Sequence, residues 1–200
     1  MTAKIKKDKR PELDNVLLCL VRLNDNVSGY QLHQLISELT GYFYQAHLSQ
    51  IYPALKRLHE DGLVTFSEVA REGKPDLKLY RITDSGISVA REWLMSPFNF
   101  GSSHNSINHF FLRLVLMGDM EDEYVLRFID EGIENLSRLR EQYSQAKPDK
   151  QMERLDEKDV RVRTRYAAIW GEEASYVREA RDLQIAHLNK IRDKLQAQMG

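Results

Sequence analysis

Two hundred residues, 30% charged and 42% hydrophobic, with a formal net charge of -1, describe a globular chain long enough for one large domain or two small ones. A balance so near zero excludes a polycation, so any affinity for nucleic acid has to come from local patches. The single cysteine, Cys19, excludes an internal disulfide and any multi-cysteine zinc site. No apolar run approaches the roughly 18–20 residues of a membrane span, which points to a cytoplasmic protein without a membrane partner.

The chain opens on a basic arm, residues 1–10, where Lys4, Lys6, Lys7, Lys9 and Arg10 face Asp8 alone. Such an arm either lies along phosphates or stays a solvated terminus, and Pro11-Glu-Leu-Asp14 keeps it from leading a secretory signal. The first helix is expected from about Pro11 to Leu23, with Leu13, Val16, Leu17, Leu20 and Val21 inward and Cys19 as a small buried hydrophobe. Asn24-Asp-Asn26 reads as a turn. Ser28 is a good N-cap for a second helix from Gly29 to Leu39, with Leu32, Leu35, Ile36 and Leu39 inward. A third helix covers His47 to Asp61: Ile51, Leu55 and Leu58 recur at helical spacing, and Gly62 falls where a left-handed C-terminal cap belongs. Strands at Leu63–Val69 and Leu77–Ile82 flank the Arg71–Asp76 loop. Thr83 caps a fourth helix through Met95, and Pro97 stops it. Helix, strand, charged loop, strand is the outline of a winged helix over residues 11–97.

Residues 98–106, small, polar and aromatic, read as a linker, and 107–200 as a helical dimerisation domain, which makes the fold mainly α. A short helix at Ile107–Met117 precedes one beginning at Asp119, where Val125, Ile129, Gly132, Leu136, Leu139 and Tyr143 form a heptad seam. Lys147-Pro-Asp149 is a break, and a final helix runs from about Lys150 to Gln198. Its seam is Leu155, Val162, Tyr166, Ile169, Tyr176 and Leu183, slipping to Leu188, Ile191 and Leu195. Residues beyond about Val177 are expected to outreach the preceding helix, so a second copy of the chain packs seam to seam, or else the helix folds back on its own winged domain.

In a helix-turn-helix the second helix lies in the major groove and presents its outer face. With Ile51, Leu55 and Leu58 inward, that face is Ser49, Gln50, Tyr52, Pro53, Lys56 and Arg57. The Gln50 amide suits bidentate pairing with adenine; Ser49 and Tyr52 offer hydroxyls to phosphates, and Lys56 and Arg57 offer charge. Each fits a solvated helix face as well. Pro53 is awkward inside a helix, tolerable near the first turn of an exposed edge. Arg71, Lys74 and Lys78 on the wing suit backbone or minor groove. Tyr42, Tyr44, His47, His109 and Phe110 are candidates for a pocket taking a small aromatic effector, with domain packing as the alternative account. The histidines show no paired metal spacing, and neither a phosphate-cradling glycine loop nor a serine elbow is present. These patterns imply no enzyme, no metal and no cofactor.

Ser28-Gly-Tyr-Gln-Leu32, Ile51-Tyr-Pro-Ala-Leu-Lys-Arg-Leu58, Asp61-Gly-Leu-Val64, Gly73-Lys-Pro75 and Tyr80-Arg-Ile-Thr-Asp-Ser-Gly86 together resemble the PadR family of bacterial transcriptional regulators, over about residues 13 to 95. The long C-terminal helices resemble its larger branch, which includes phenolic-acid-responsive repressors and virulence-gene activators with an antiparallel coiled-coil dimer. The resemblance implies a homodimer on a pseudo-palindromic operator of double-stranded DNA, with a small-molecule effector in some members. Two other readings stay open: a coiled-coil interaction module whose winged domain binds protein, and a small-aromatic-ligand-binding protein on the same scaffold.

Overall fold

A computed structural model describes residues 10–40, 43–73, 76–98, 100, 104–145 and 160–199. The fold is mainly α and divides into two compact units, Met1–Glu121 and Asp122–Gly200. The basic arm, apart from Arg10, lies outside the described residues.

The first unit is built around α1 (Glu12–Leu23). Every residue from Asp14 to Val21 is buried, so Val16-Leu-Leu-Cys-Leu-Val21 is apolar on all sides because all sides are covered. Burial pushes the Cys19 thiol up to about 12, which fits a packing residue and not a nucleophile. Asn26 turns the chain with a left-handed φ of 56° into β1 (Val27–Ser28) and α2 (Gly29–Thr40). Ser28 and Gln31 start α2 as a capping box: the Gln31 amide donates to Ser28 Oγ at 3.2 Å, and the Ser28 amide to Gln31 Oε1 at 2.9 Å.

Next comes α3 (Leu48–Glu60), which buries Ile51, Ala54, Leu55 and Leu58 completely. At about 1.5–3 kcal/mol for each large side chain, that stripe outweighs the weak propensity of a helix holding a proline. Pro53 is the sixth residue, past the first turn, and α3 runs through it with Pro53 exposed. The helix closes as a Schellman motif. Gly62, at φ +70°, donates to the His59 carbonyl at 2.9 Å, and Leu63 donates to that of Leu58 at 2.9 Å.

Two strands follow, β2 (Val64–Val69) and β3 (Leu77–Ile82), paired antiparallel from Val64 opposite Ile82 to Val69 opposite Leu77. The sheet gains a third member, because β1 pairs with β3 through Val27 opposite Tyr80, giving the order β1-β3-β2. Thr83 Oγ1 accepts from the Gly86 amide at 3.0 Å and starts α4 (Asp84–Met95). The last helix of this unit is α5 (His104–Val115), tied down by the buried Arg113. Its guanidinium donates to the carbonyls of Leu94 (2.9 Å), Ser96 (2.7 Å) and Trp93, and so satisfies the carbonyls at the end of α4. By packing, the chain therefore divides at Glu121, later than the 98–106 segment where composition changes.

The second unit is a hairpin of α6 (Asp122–Gln145) and α7 (Val160–Met199). Arg140 pairs with Asp182 at 2.8 Å and Arg192 with Asp130 at 3.2 Å, so the helices are antiparallel. Ile129, Gly132, Leu136 and Leu139 of α6 are buried, as are Arg181 and Leu188 of α7. This register sets the end of α6 level with about Val177. It reverses the expectation that residues beyond Val177 outreach the shorter helix: the stretch Val160–Tyr176 runs past it. Leu188, expected on the intersubunit seam, is instead fully buried in this hairpin, with Ile191 and Leu195 half-buried along it. The seam slips there because α7 exchanges a free face for one covered by α6. Leu155 lies outside the described residues. No described helix is long and apolar enough to cross a membrane.

Candidate nucleic-acid interface

Opposite the buried stripe of α3, Ser49, Gln50, Tyr52, Pro53, Lys56 and Arg57 are all exposed. They share one face because positions three, four and seven apart on a helix do so. What each side chain does there differs. Gln50 is the third residue of the helix, and its Oε1 accepts from the His47 amide at 3.0 Å. That bond orients the carboxamide while leaving its NH2 and a second lone pair for a partner. Tyr52, 49% exposed, lays its ring over the start of α2, where a Cβ on Gly29 would meet it at 2.7 Å. Glycine at position 29 therefore makes room for that ring. Tyr80 lies behind it, its phenol pushed up by burial first and by Tyr52 second.

Lys56 is 3.7 Å from Glu60 one turn on, with both side chains open to water. Such a pair contributes only about 0–1 kcal/mol, so a phosphate can displace Glu60 at little cost. Arg57 is placed differently. Its Nη2 and Nε donate to the two carboxylate oxygens of Asp14 at 2.6 and 3.3 Å, and Asp14 is buried in α1. Among the wing residues, Arg71 is exposed in the β2–β3 loop and Lys74 lies outside the described residues. Lys78 sits in β3 rather than at the tip, 3.6 Å from Glu68 and 4.0 Å over the Phe66 ring.

Of the five aromatic and histidine positions expected to form a pocket, the four described ones are not gathered into one. Phe110 is fully buried, its ring against those of Phe98, Phe100 and Phe111, so packing accounts for it. His109 pairs with Glu12 at 3.1 Å. Burial pushes the Glu12 carboxyl up, partly offset by His109 and Arg113. Tyr44 is half-buried, and its phenol is pushed up to about 12 by burial first and then by Glu12 and Asp14. Tyr42 lies outside the described residues. A cavity of about 510 Å³ does open beside α2, but of the four described positions it takes only His47, with His33, Ile36, Ser37, Glu38, Gln45 and Ala46. Among the described residues no group of three or more potential ligands could hold a metal.

Sequence reasoning passed over Asp14 and Arg113. For Arg113 the available signal was a charge inside the apolar run Phe110–Val115, which has to find a partner when buried; Asp14, among polar neighbours ahead of Val16, gave none.

Residues 17–92 match the Transcriptional regulator PadR-like family. The Negative transcriptional regulator PadR of Bacillus subtilis is 37% identical over 83 residues, 42% of this chain and 45% of that protein. "Probable transcriptional regulator Rv1176c" of Mycobacterium tuberculosis is 35% identical over 72 residues, 36% of this chain and 38% of that protein. The chain thus spans less than half the length of the curated relatives it matches. A crystal structure of Bacillus subtilis PadR in complex with operator DNA covers 92% of this chain and 99% of its own, at 20% identity and a TM-score of 0.46.

Proposed function

We propose, from the match of residues 17–92 to the PadR-like transcriptional regulators, that the chain is a member of that family: a sequence-specific, double-stranded DNA-binding regulator acting as a homodimer on a pseudo-palindromic operator. The observation that carries this reading is the polar outer face of α3, opposite a stripe that is wholly buried. A helix so divided is held rigidly by the body of the protein while its other side stays open to a groove. Gln50 reads a base, its amide aimed by the bond to His47. Ser49 and Tyr52 supply hydroxyls to phosphates, Lys56 exchanges Glu60 for one, and Arg71 and Lys74 bring the wing to flanking backbone.

The dimer contact is an exposed face of α7 that begins on its overhang. Val162 (44% exposed), Ile169 (58%) and Tyr176 (63%) on the overhang and Leu183 (72%) just beyond it, alongside α6, repeat every seven residues, a seam left exposed by the described residues. Two copies joined there carry two α3 helices, which is what a two-fold operator requires. Such a regulator acts in the cytoplasm, where its operator is.

The test begins with fragments of the source genome selected by the purified protein. Gln50→Glu keeps the acceptor that caps α3 but loses the amide donor, so the protein stays folded while its preference for a selected fragment over a scrambled one falls about tenfold or more. An unchanged preference removes Gln50 from base reading.

A further inference from the structure

Around α3 the described cations have partners on their own chain, and these pairs are of two kinds. Lys56 with Glu60 and Lys78 with Glu68 have both members open to water. Arg57 with Asp14 does not: the Asp14 side chain is 3% exposed, and both of its oxygens are taken by the guanidinium fork. A phosphate that drew Arg57 away would leave a carboxylate buried without its counter-charge, which costs more than the new contact returns. An exposed pair carries no such penalty.

Position matters as well. Arg57 stands two helical turns beyond Gln50 on the same face, and Asp14 belongs to a helix buried from there to Val21. A bidentate fork has one good geometry, so this pair fixes how far α3 is rotated about its axis and where the Gln50 amide points. Resting on the DNA-binding reading above, we propose that Asp14 is a positioning and specificity-determining residue: it braces the reading helix through Arg57 and cancels that residue's charge, so Arg57 adds nothing to phosphate binding and affinity for non-specific duplex stays low. The residue type that looks most like a phosphate contact in the sequence is a strut.

The slope of log affinity against log salt on a scrambled duplex counts phosphates neutralised, at about 0.9 per phosphate, and a purely structural role would not move it. The full-length wild type is measured first. Absence of salt-dependent affinity for any duplex would overturn the DNA reading itself, and this inference with it. Given wild-type binding, Asp14→Asn releases the Arg57 charge, so the slope steepens by about 0.9 per chain bound and the ratio of selected to scrambled affinity falls at least fivefold. The double variant Asp14→Asn/Arg57→Gln replaces the ion pair by two hydrogen-bonded amides and leaves the slope at its wild-type value. If Asp14→Asn does not fold, the double variant decides alone. A slope shallower by about 0.9 in the double variant would put Arg57 on a phosphate and overturn the proposal. So would an unchanged slope in folded Asp14→Asn, or a double variant that cannot fold, since neutral partners of that shape should be tolerated.

Discussion

Replacing Gly86 by alanine tests the joint between the wing and α4. A Cβ at this position would lie inside the contact radius of the Leu63 carbonyl oxygen and 2.7 Å from Ile82 Cγ1. The carbonyl cannot retreat freely, because it accepts from the Thr83 amide and from Thr83 Oγ1, both at 3.1 Å. Overpacking of a fixed backbone costs about 1–3 kcal/mol, and each strained hydrogen bond adds about 0.5–1.5 kcal/mol. The expected loss is about 3 kcal/mol, a large share of the stability of a unit this size. At about 4 °C per kcal/mol, Tm falls by about 10 °C or more. Trp93 on α4 reports the transition by fluorescence, in a Trp170→Phe background that silences the other indole. Ser85→Ala, at the exposed neighbouring position, is the control and stays within about 0.5 kcal/mol of wild type. A Gly86→Ala protein melting within about 3 °C of the control would refute the reasoning, because the collision would then be relieved by movement the fold is argued not to permit.

Arg113→Met removes the guanidinium from the carbonyls of Leu94 and Ser96, while that of Trp93 keeps the Ser96 amide and hydroxyl, and should cost about 3 kcal/mol, read as a lower Tm; a loss under about 1 kcal/mol would show that water replaces the guanidinium. The Tyr44 phenol, held up to about 12 against an ordinary value of 10.0, favours the protonated form in the folded state. Its contribution to stability is therefore full below pH 10 and lost as pH climbs toward 12. Tyr44→Phe should flatten that part of the pH–stability curve, and an unchanged slope there would assign the decline to other groups. Leu183→Lys, at a side chain 72% exposed, should leave the Tm of the separate chain unchanged while shifting sedimentation from dimer toward monomer; a persisting dimer would move the interface elsewhere.

Helices α2, α3 and α4 were legible because each announces an end: Ser28 and Thr83 as caps, Gly62 as a left-handed stop, whereas α5 starts at His104 and not at the expected Ile107. β1 was not, since two residues carry no period and the partner of Val27 lies 53 residues away at Tyr80. The outer face of α3 followed from the positions of Ile51, Leu55 and Leu58, but not which of its cations had a partner elsewhere. Arg57 and Asp14 are 43 residues apart, and only the folded chain brings them together. The buried anchor Arg113 likewise joined α5 to α4 across a stretch whose composition suggested a boundary. In the second unit the apolar repeat of α7 was visible, yet its direction of overhang depended on the register set by Arg140–Asp182 and Arg192–Asp130. A heptad pattern states that a face is sought, not which neighbour takes it.

The function proposed for α3 is to read base sequence in a DNA groove. It is tested most directly by titrating the full-length protein, at physiological salt, against one genomic fragment it has selected and a scrambled duplex of equal length and composition. Affinity is expected to be at least about a thousandfold tighter for the selected fragment. Equal affinities for the two duplexes would contradict it.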